Sequence, residues 1–146
     1  MIAFYAWALS VVCVDQLSKY IALTFLAQAP VIVVPDAFHL TLVFNTGAAF
    51  GFLSDHGSFL FSVITISIVF LFILTVRSQG ANLSEKWALS LILGGAVGNW
   101  IDRLRIGAVI DFLDFRIWPV FNLADLAISI GVCIYLLSLF RRGEKA

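Results

Sequence analysis

The sequence has little charge and little cysteine, and each shortage excludes a class of protein. Charged residues make up only 12% of the 146 residues, about half the share of ~25% that is usual in soluble domains. Disordered chains combine high charge with few apolar residues, and nucleic-acid-binding domains carry a basic excess. Here nine basic residues balance nine acidic ones. Two cysteines are too few for a disulfide framework, and because Cys13 and Cys133 lie in apolar runs we expect both to be buried thiols.

Apolar residues, in contrast, make up 62% of the chain. A soluble domain of this length could not bury so much apolar surface in one core, so the composition indicates an integral membrane protein. A helix of roughly 20 residues crosses a hydrocarbon core of ~30 Å. We predict an all-α membrane protein with four spanning helices, as one domain over residues 1–146. The predicted spans are residues 2–26, 57–76, 87–105 and 121–140.

The third apolar run is short, since only Trp87–Ile101 precede Asp102. We therefore expect its polar end to continue as helix beside protein or water. A cleavable signal peptide is an alternative interpretation of the first run, but no basic residue precedes Asp15. Basic residues that follow the second and fourth runs favour a multi-pass protein with both termini in the cytoplasm.

Between the first two runs, residues 28–56 are polar or extended in character. Val31–Val34 and Phe38–Phe44 are rich in β-branched and aromatic residues and are bounded by Pro30, Pro35 and Gly47. This pattern predicts a small β-structure on the outer face of the membrane.

Ionisable residues at membrane depth are costly and therefore indicate functional sites. Asp15 and Lys19 are four residues apart and share a helix face. They could form an ion pair at the membrane boundary, with Lys19 extending outward. Alternatively, they form a polar anchor that organises a site at the outer end of the first helix.

Two further segments combine small residues with amides. Asn45 and Gly47 lie in Phe44–Gly51, where Asn45 could orient a substrate amide or could simply favour a turn. Asn99 and Arg103 share a face at the end of the third run, with Asp102 adjacent. They could belong to a site, or the run could be a helix-packing motif that ends in a surface ion pair. Gly94, Gly95 and Gly98 in that run predict close helix contacts.

Asp111 and Asp125 carry the strongest functional signal. Asp111 is surrounded by apolar residues, and Asp125 lies early in the last apolar run, three residues after Asn122, which could cap that helix. A chain reversal at Pro119 could bring the two carboxylates together, with one keeping a proton and the other ionised. Such a pair can activate water and protonate a leaving amine. Alternatively, Asp111 is a surface loop residue and Asp125 is an acid that the dipole favours at a helix N-terminus. Asp114 is a competing candidate for the role of Asp111.

Other function classes find less support in the sequence. His39 and His56 are not clustered, and no Cys/His set has metal-ligand spacing, so we expect neither metal nor cofactor. A small proton-coupled transporter is the main alternative, although transporters often have internal repeats and none is evident. A non-catalytic scaffold would place Asp111 and Asp125 far apart.

Five ordered segments resemble the motifs of the lipoprotein signal peptidase (signal peptidase II) family. They are Asp15–Lys19, Phe44–Gly51, Gly98-Asn99 with Asp102-Arg103, Gly107 to Phe112, and Phe121–Asp125 with Ile128 and Gly131. The resemblance extends from Asp15 to Gly131.

This resemblance implies an aspartic endopeptidase of the bacterial inner membrane, which removes signal peptides from prolipoproteins just before a diacylglyceryl-modified Cys. It implies that Asp111 and Asp125 are the catalytic pair and that residues 28–56 form a β-cradle on the outer leaflet. The family positions that line or support the site are Asp15, Lys19, Asn45, Gly47, Asn99, Arg103, Asn122 and Ala124. The implied partners are the prolipoprotein and membrane lipid, with no nucleic acid, and we expect a monomer. The roles of Asp114, Arg116 and Trp118 stay open.

Overall fold

The computed structural model describes residues 2–47, 57–77 and 82–143. Predictions for residues 48–56, for 78–81 and for the chain beyond 143 lie outside this description, including the second half of the Phe44–Gly51 segment. The elements, in chain order, are α1 (Ile2–Phe25), β1 (Val31–Val34), β2 (Phe38–Asn45), α2 (Gly57–Arg77), α3 (Leu83–Ile106), β3 (Val109–Asp114) and α4 (Leu123–Gly143).

The four helices overlap the four apolar runs. By length and composition, two of the described helical segments are sufficient to cross a membrane, Ala3–Phe25 and Leu123–Arg141. Phe61–Arg77 forms a shorter apolar segment within α2. The fold is thus mostly helical with a small antiparallel sheet, as the sequence indicates.

Helix α3 begins four residues earlier than predicted and ends one residue later. It begins at Leu83 rather than Trp87, because Asn82 caps it: the Asn82 side chain accepts from the Glu85 backbone N–H, and the Glu85 carboxylate accepts from the Asn82 N–H. At its other end the helix continues past Asp102, as expected, and stops where Gly107 takes a left-handed conformation with φ 74°. α3 therefore carries polar residues through its last turns.

The predicted β-structure is present and contains one strand more than expected. The sheet is antiparallel in the order β1-β2-β3, and β3 was not predicted because Asp111 and Asp114 interrupt its apolar pattern. The alternative of Asp111 as a surface loop residue is wrong, since its side chain is buried on this strand. The register places Val43 opposite Asp111 and Asn45 opposite Val109. As a result, the end of β2 lies directly beside Asp111.

A small apolar core joins this sheet to the helices. Ala22 and Leu26 at the end of α1 pack with Phe112 of β3. Leu113 and Leu123 cover the same cluster from β3 and α4. The burial of these side chains fixes the sheet against the ends of α1 and α4.

Helix α3 packs against all three other helices, and glycines permit the close approach that the sequence predicts. A Cβ atom at Gly95 would lie 2.5 Å from the Ala124 carbonyl oxygen of α4. At Gly131 of α4, it would lie 2.7 Å from the Ala88 oxygen of α3. The α3–α4 backbones are therefore in contact.

The prediction that both cysteines are buried is wrong, since Cys13 on α1 and Cys133 on α4 are exposed.

We predict that Gly95→Ala destabilises the fold by about 1–3 kcal/mol, because the new methyl group overlaps a backbone oxygen that has no room to move. Gly107→Ala is the matched control: its Cβ would meet nothing within 4 Å, so only the positive φ opposes it, at about 1 kcal/mol. Chemical unfolding in mixed micelles, followed by circular dichroism, gives both values. A loss at Gly107 larger than that at Gly95 would contradict this account of the α3–α4 contact.

Candidate active site

Asp111 is the most buried acid of the sheet, and two amides hold it. Its side chain is 1% exposed. One carboxylate oxygen accepts from Asn45 Nδ2 at 2.9 Å and the other from Asn122 Nδ2 at 2.6 Å. Asn45 is itself oriented because its Oδ1 accepts from the Gly47 backbone N–H at 2.9 Å. Gly47 adopts φ 87°, which glycine tolerates without strain.

Asp125 lies in the first turn of α4 and forms a reciprocal cap with Asn122. The Asp125 N–H donates to Asn122 Oδ1 at 2.9 Å, and the Asn122 N–H donates to Asp125 Oδ2 at 3.3 Å. Asn122 therefore caps the helix, as the sequence suggests. Asp125 is half-buried, and its carboxylate accepts a second hydrogen bond, from Asn99 Nδ2 at 2.7 Å.

One fully buried residue, Asn122, connects the two carboxylates. Its amide nitrogen reaches Asp111, and its backbone N–H reaches Asp125. The same amide nitrogen donates to Asn99 Oδ1 at 3.0 Å, and Asn99 in turn donates to Asp125. The two acids, which are 14 positions apart in sequence, thus share one network, which is the opposite of the arrangement that a scaffold predicts.

A buried lysine lies behind this network. Lys19 is 1% exposed, and its ammonium contacts Asp15 at 2.9 Å, Asp102 at 2.7 Å and Asn99 Oδ1 at 2.8 Å. The alternative of a boundary ion pair with Lys19 extending outward is therefore wrong. The apolar stem stays inside because two carboxylates within the protein satisfy its charge.

Asp15 also holds the start of α4. Its Oδ1 accepts from the Ala124 backbone N–H at 3.0 Å, and Ala124 is completely buried. Asp102 similarly accepts from the Ile110 N–H at 3.3 Å, at the start of β3. The buried charges of α1 and α3 therefore position the two segments that carry Asp111 and Asp125.

Gln16 is the supporting residue that was not assigned a role from the sequence. Its Nε2 donates to Asp15, to the Gly98 carbonyl oxygen and to Asp102 Oδ1, the last at 2.9 Å. The sequence signal for this supporting role was an amide side chain next to Asp15 in an apolar run. Asp102, which Gln16 contacts, was likewise predicted only as part of a motif.

Arg103 is half-buried on the side of α3 next to Asn99. Its guanidinium donates to the Asn99 carbonyl oxygen at 3.3 Å and interacts electrostatically with Asp125 and Asp111. This placement provides a cation beside the two acids, partly open to the outside.

Asp114, the competing candidate, is not part of this network. Its carboxylate binds Arg116 through the backbone N–H and the guanidinium, and Thr41 Oγ1 at 3.1 Å. Because side chains alternate along a strand, Asp111 and Asp114 project to opposite faces of β3. All ten residues predicted for the site, by contrast, lie in or against the one network: Asp15, Lys19, Asn45, Gly47, Asn99, Arg103, Asp111, Asn122, Ala124 and Asp125.

The surroundings of Asp111 raise its pKa to about 6. Burial is the largest cause and the nearby Asp125 adds to it, while hydrogen bonds from Asn45 and Asn122 act in the opposite direction. Asp125 lies in the first turn of α4, where its carboxylate accepts from the Asn122 backbone N–H and from Asn99 Nδ2. Among the described residues, no group of three His, Cys, Asp or Glu side chains is arranged to hold a metal ion.

The whole fold matches that of bacterial membrane enzymes. One solved structure, described as "Bacterial membrane enzyme structure by the in meso method at 2.3 A resolution", superposes with a TM-score of 0.86 at 34% identity, over 99% of this chain and 92% of the other. A second, determined by the same method at 1.9 Å resolution, gives a TM-score of 0.82 at 34% identity, over 95% and 93%.

The sequence comparisons define the family. The family model described as "Signal peptidase (SPase) II" matches residues 7–141. The "Lipoprotein signal peptidase" of Halothermothrix orenii is 43% identical over 96% of this chain and 97% of that protein. The protein of the same name from Moorella thermoacetica is 47% identical over 90% and 88%. The chain belongs to the signal peptidase II family.

We predict that Lys19→Met destabilises the protein by about 3–5 kcal/mol, because it leaves the carboxylates of Asp15 and Asp102 buried without a cation. Thermal or chemical unfolding of the purified variant measures the loss. The triple variant that adds Asp15→Asn and Asp102→Asn is expected to recover more than half of it, since the amides keep an acceptor for the Ala124 and Ile110 N–H groups. If Lys19→Met unfolded at the wild-type midpoint, the buried ion cluster would not be a stabilising element.

Proposed function

We propose that this chain is an endopeptidase that removes signal peptides from prolipoproteins, cleaving before the lipid-modified Cys with Asp111 and Asp125 as its catalytic pair. The observation that carries the proposal is the convergence of these two carboxylates, from β3 and α4, on one buried residue, Asn122, which donates its side-chain amide to Asp111 and its backbone N–H to Asp125. Membership of the signal peptidase II family supports the same reaction.

The two acids take different roles in this proposal. Asp111, with its raised pKa, holds the proton, and Asp125, at the helix N-terminus, is ionised. Two carboxylates that share an apolar site divide in this way because ionising both would place like charges together.

Hydrolysis then follows the usual acid–base steps. Asp125 takes a proton from a water molecule, whose oxygen bonds to the scissile carbonyl carbon while Asp111 gives its proton to the carbonyl oxygen. Collapse of the tetrahedral intermediate breaks the C–N bond as one hydroxyl group returns its proton to Asp111, and the proton on Asp125 passes to the leaving amine. The half-buried Asn45 and Arg103 are placed to hold the substrate backbone on the open side of the pair.

The placement in the membrane is part of the proposal. The four helices span the bacterial inner membrane as one domain, and the sheet and the acid pair lie towards the outer leaflet. Arg77, Lys86 and Arg141 lie together on the cytoplasmic side under this arrangement, with both termini. The substrate's lipid stays in the bilayer while its peptide reaches the pair, and the protein acts as a monomer without a cofactor.

Neither alternative from the sequence gains support. A proton-coupled transporter is not supported by the family matches, which are peptidases. A scaffold requires the acids to lie apart, whereas both of them bind Asn122.

We predict that Asp111→Asn and Asp125→Asn each lower the cleavage rate of a lipidated prolipoprotein peptide by at least about 100-fold, because each removes one proton-transfer group. Each amide keeps the side-chain volume and one of the two hydrogen bonds that the carboxylate accepts, and the unfolding midpoint of each variant checks that the fold is retained. Asp36→Asn is the matched control, since Asp36 is an exposed turn residue with φ 59°, a conformation that Asn tolerates. Normal cleavage by either site variant, measured by mass spectrometry of the products, would rule out this mechanism.

We predict that kcat/KM falls as the pH rises through about 6, by about tenfold per pH unit above that value. The sign follows from burial, which favours the protonated form of Asp111 in the folded protein. Raising the pH removes that proton, and with it the acid. Initial rates across the pH range, with the unfolding midpoint followed in parallel, separate this effect from loss of structure. A rate that increased between pH 6 and 8 would contradict the role of Asp111 as the acid, because it would show that the group titrating there acts in its ionised form, as a base.

A further inference from the structure

The turn between β3 and α4 exposes large apolar side chains that the proposed reaction does not use. We call residues 115–118 the 115–118 tip. Ile117 is 94% exposed and Trp118 69% exposed, and Phe115 at the base is also exposed. Ile117 is the most exposed of the large hydrophobic residues described.

The base of the tip is firmly held. The Phe115 ring packs on Phe38 of β2 at 4.7 Å between centroids and on Phe121 at 5.8 Å, nearly parallel to the latter. Leu113 and Phe121 exchange backbone hydrogen bonds at 2.8 and 3.1 Å, which close the turn. The exposed side chains are therefore presented by a fixed frame.

Asp114 and Arg116 set the direction of the turn. Asp114 is buried and accepts from both the backbone N–H and the guanidinium of Arg116, at 2.9 and 3.1 Å. These bonds hold Arg116 at φ 64°, a left-handed conformation that residues with a side chain rarely adopt. Pro119 restricts the backbone of Trp118 just beyond. Strain of this kind is retained only where the surrounding structure enforces it.

The tip is also close along the chain to the start of a proposed membrane-spanning helix. Trp118 is five residues before Leu123, the first residue of an apolar helical segment long enough to span, so the two lie within about 18 Å. Trp is enriched at the membrane–water interface, where its ring is amphipathic. The Arg116 side chain is 51% exposed and keeps guanidinium donors for a phosphate while it binds Asp114.

From this arrangement we propose that the 115–118 tip inserts into the headgroup region of the outer leaflet, with Ile117 and Trp118 among the upper acyl chains and Arg116 on a lipid phosphate. The inference rests on the proposed membrane placement. The proposed insertion affects the depth of Asp111 in the membrane, because Asp111 is three residues before Asp114 on the strand that leads to the tip. Fixing the tip in the lipid therefore fixes the height of Asp111 relative to a cleavage site that is itself anchored by lipid.

The direct test is the fluorescence of Trp118 in the full-length protein. The chain and its Trp118→Phe variant are reconstituted in phosphatidylcholine vesicles brominated either near the headgroup or near the acyl-chain end, and the difference in emission isolates Trp118 from the other three tryptophans. We expect bromine near the headgroup to quench this difference about twofold more than deep bromine, and aqueous iodide to have little effect. Quenching by iodide with no response to brominated lipid would overturn the proposal.

A second experiment tests the consequence for activity. Ile117→Asn/Trp118→Asn is expected to lower kcat/KM for a bilayer-embedded lipidated substrate by about tenfold, whereas the same substrate in detergent micelles is cleaved normally. Trp118→Tyr is the matched control and should keep full activity in both, since Tyr also favours the interface.

The outcomes distinguish this proposal from the proposed function. An equal loss in bilayer and micelle would indicate that the tip contacts the substrate or supports the fold, and would overturn the interfacial role. A chain without peptidase activity that still gave the expected quenching would refute the proposed function and support the interfacial tip.

Discussion

The structure depends on one buried cation. Lys19 is enclosed by Asp15, Asp102 and Asn99, and each of these partners holds something else in place. Asp15 binds the start of α4, Asp102 binds the start of β3, and Asn99 binds Asp125. A charge inside an apolar protein is costly unless it is fully paired. The pairing therefore forces α1, α3, α4 and the sheet into one arrangement.

That arrangement makes two chemically identical side chains different. Asp111 comes from a strand and is enclosed, with its pKa raised by burial, whereas Asp125 comes from the first turn of a helix and is partly open. Asn122 connects the two carboxylates through its amide and its backbone N–H. The surroundings, and not the residue type, thus distinguish the two carboxyl groups. The amides add no charge of their own, so they orient both acids without neutralising either.

The sequence predicted the helices and the β1–β2 region well, because apolar runs and β-branched clusters are local signals. It placed the start of α3 too late, since the capping pair Asn82–Glu85 lies in a polar stretch. It missed β3, where Asp111 and Asp114 disrupt the apolar pattern, and it gave Gln16 no role. These misses share a cause: each residue is polar locally and becomes buried only through partners distant in the chain.

The sequence by itself determined the class of protein and the positions of its apolar segments, and through its resemblance to a family it predicted a catalytic pair of acids. Composition and periodicity suffice for the first two because lipid selects side chains one segment at a time. Only the tertiary structure decided that Lys19 is buried rather than extended outward and that Asp114 stands apart from the acid pair. Those outcomes depend on contacts between residues up to about a hundred positions apart, as between Asp15 and Ala124, and no local pattern encodes such contacts.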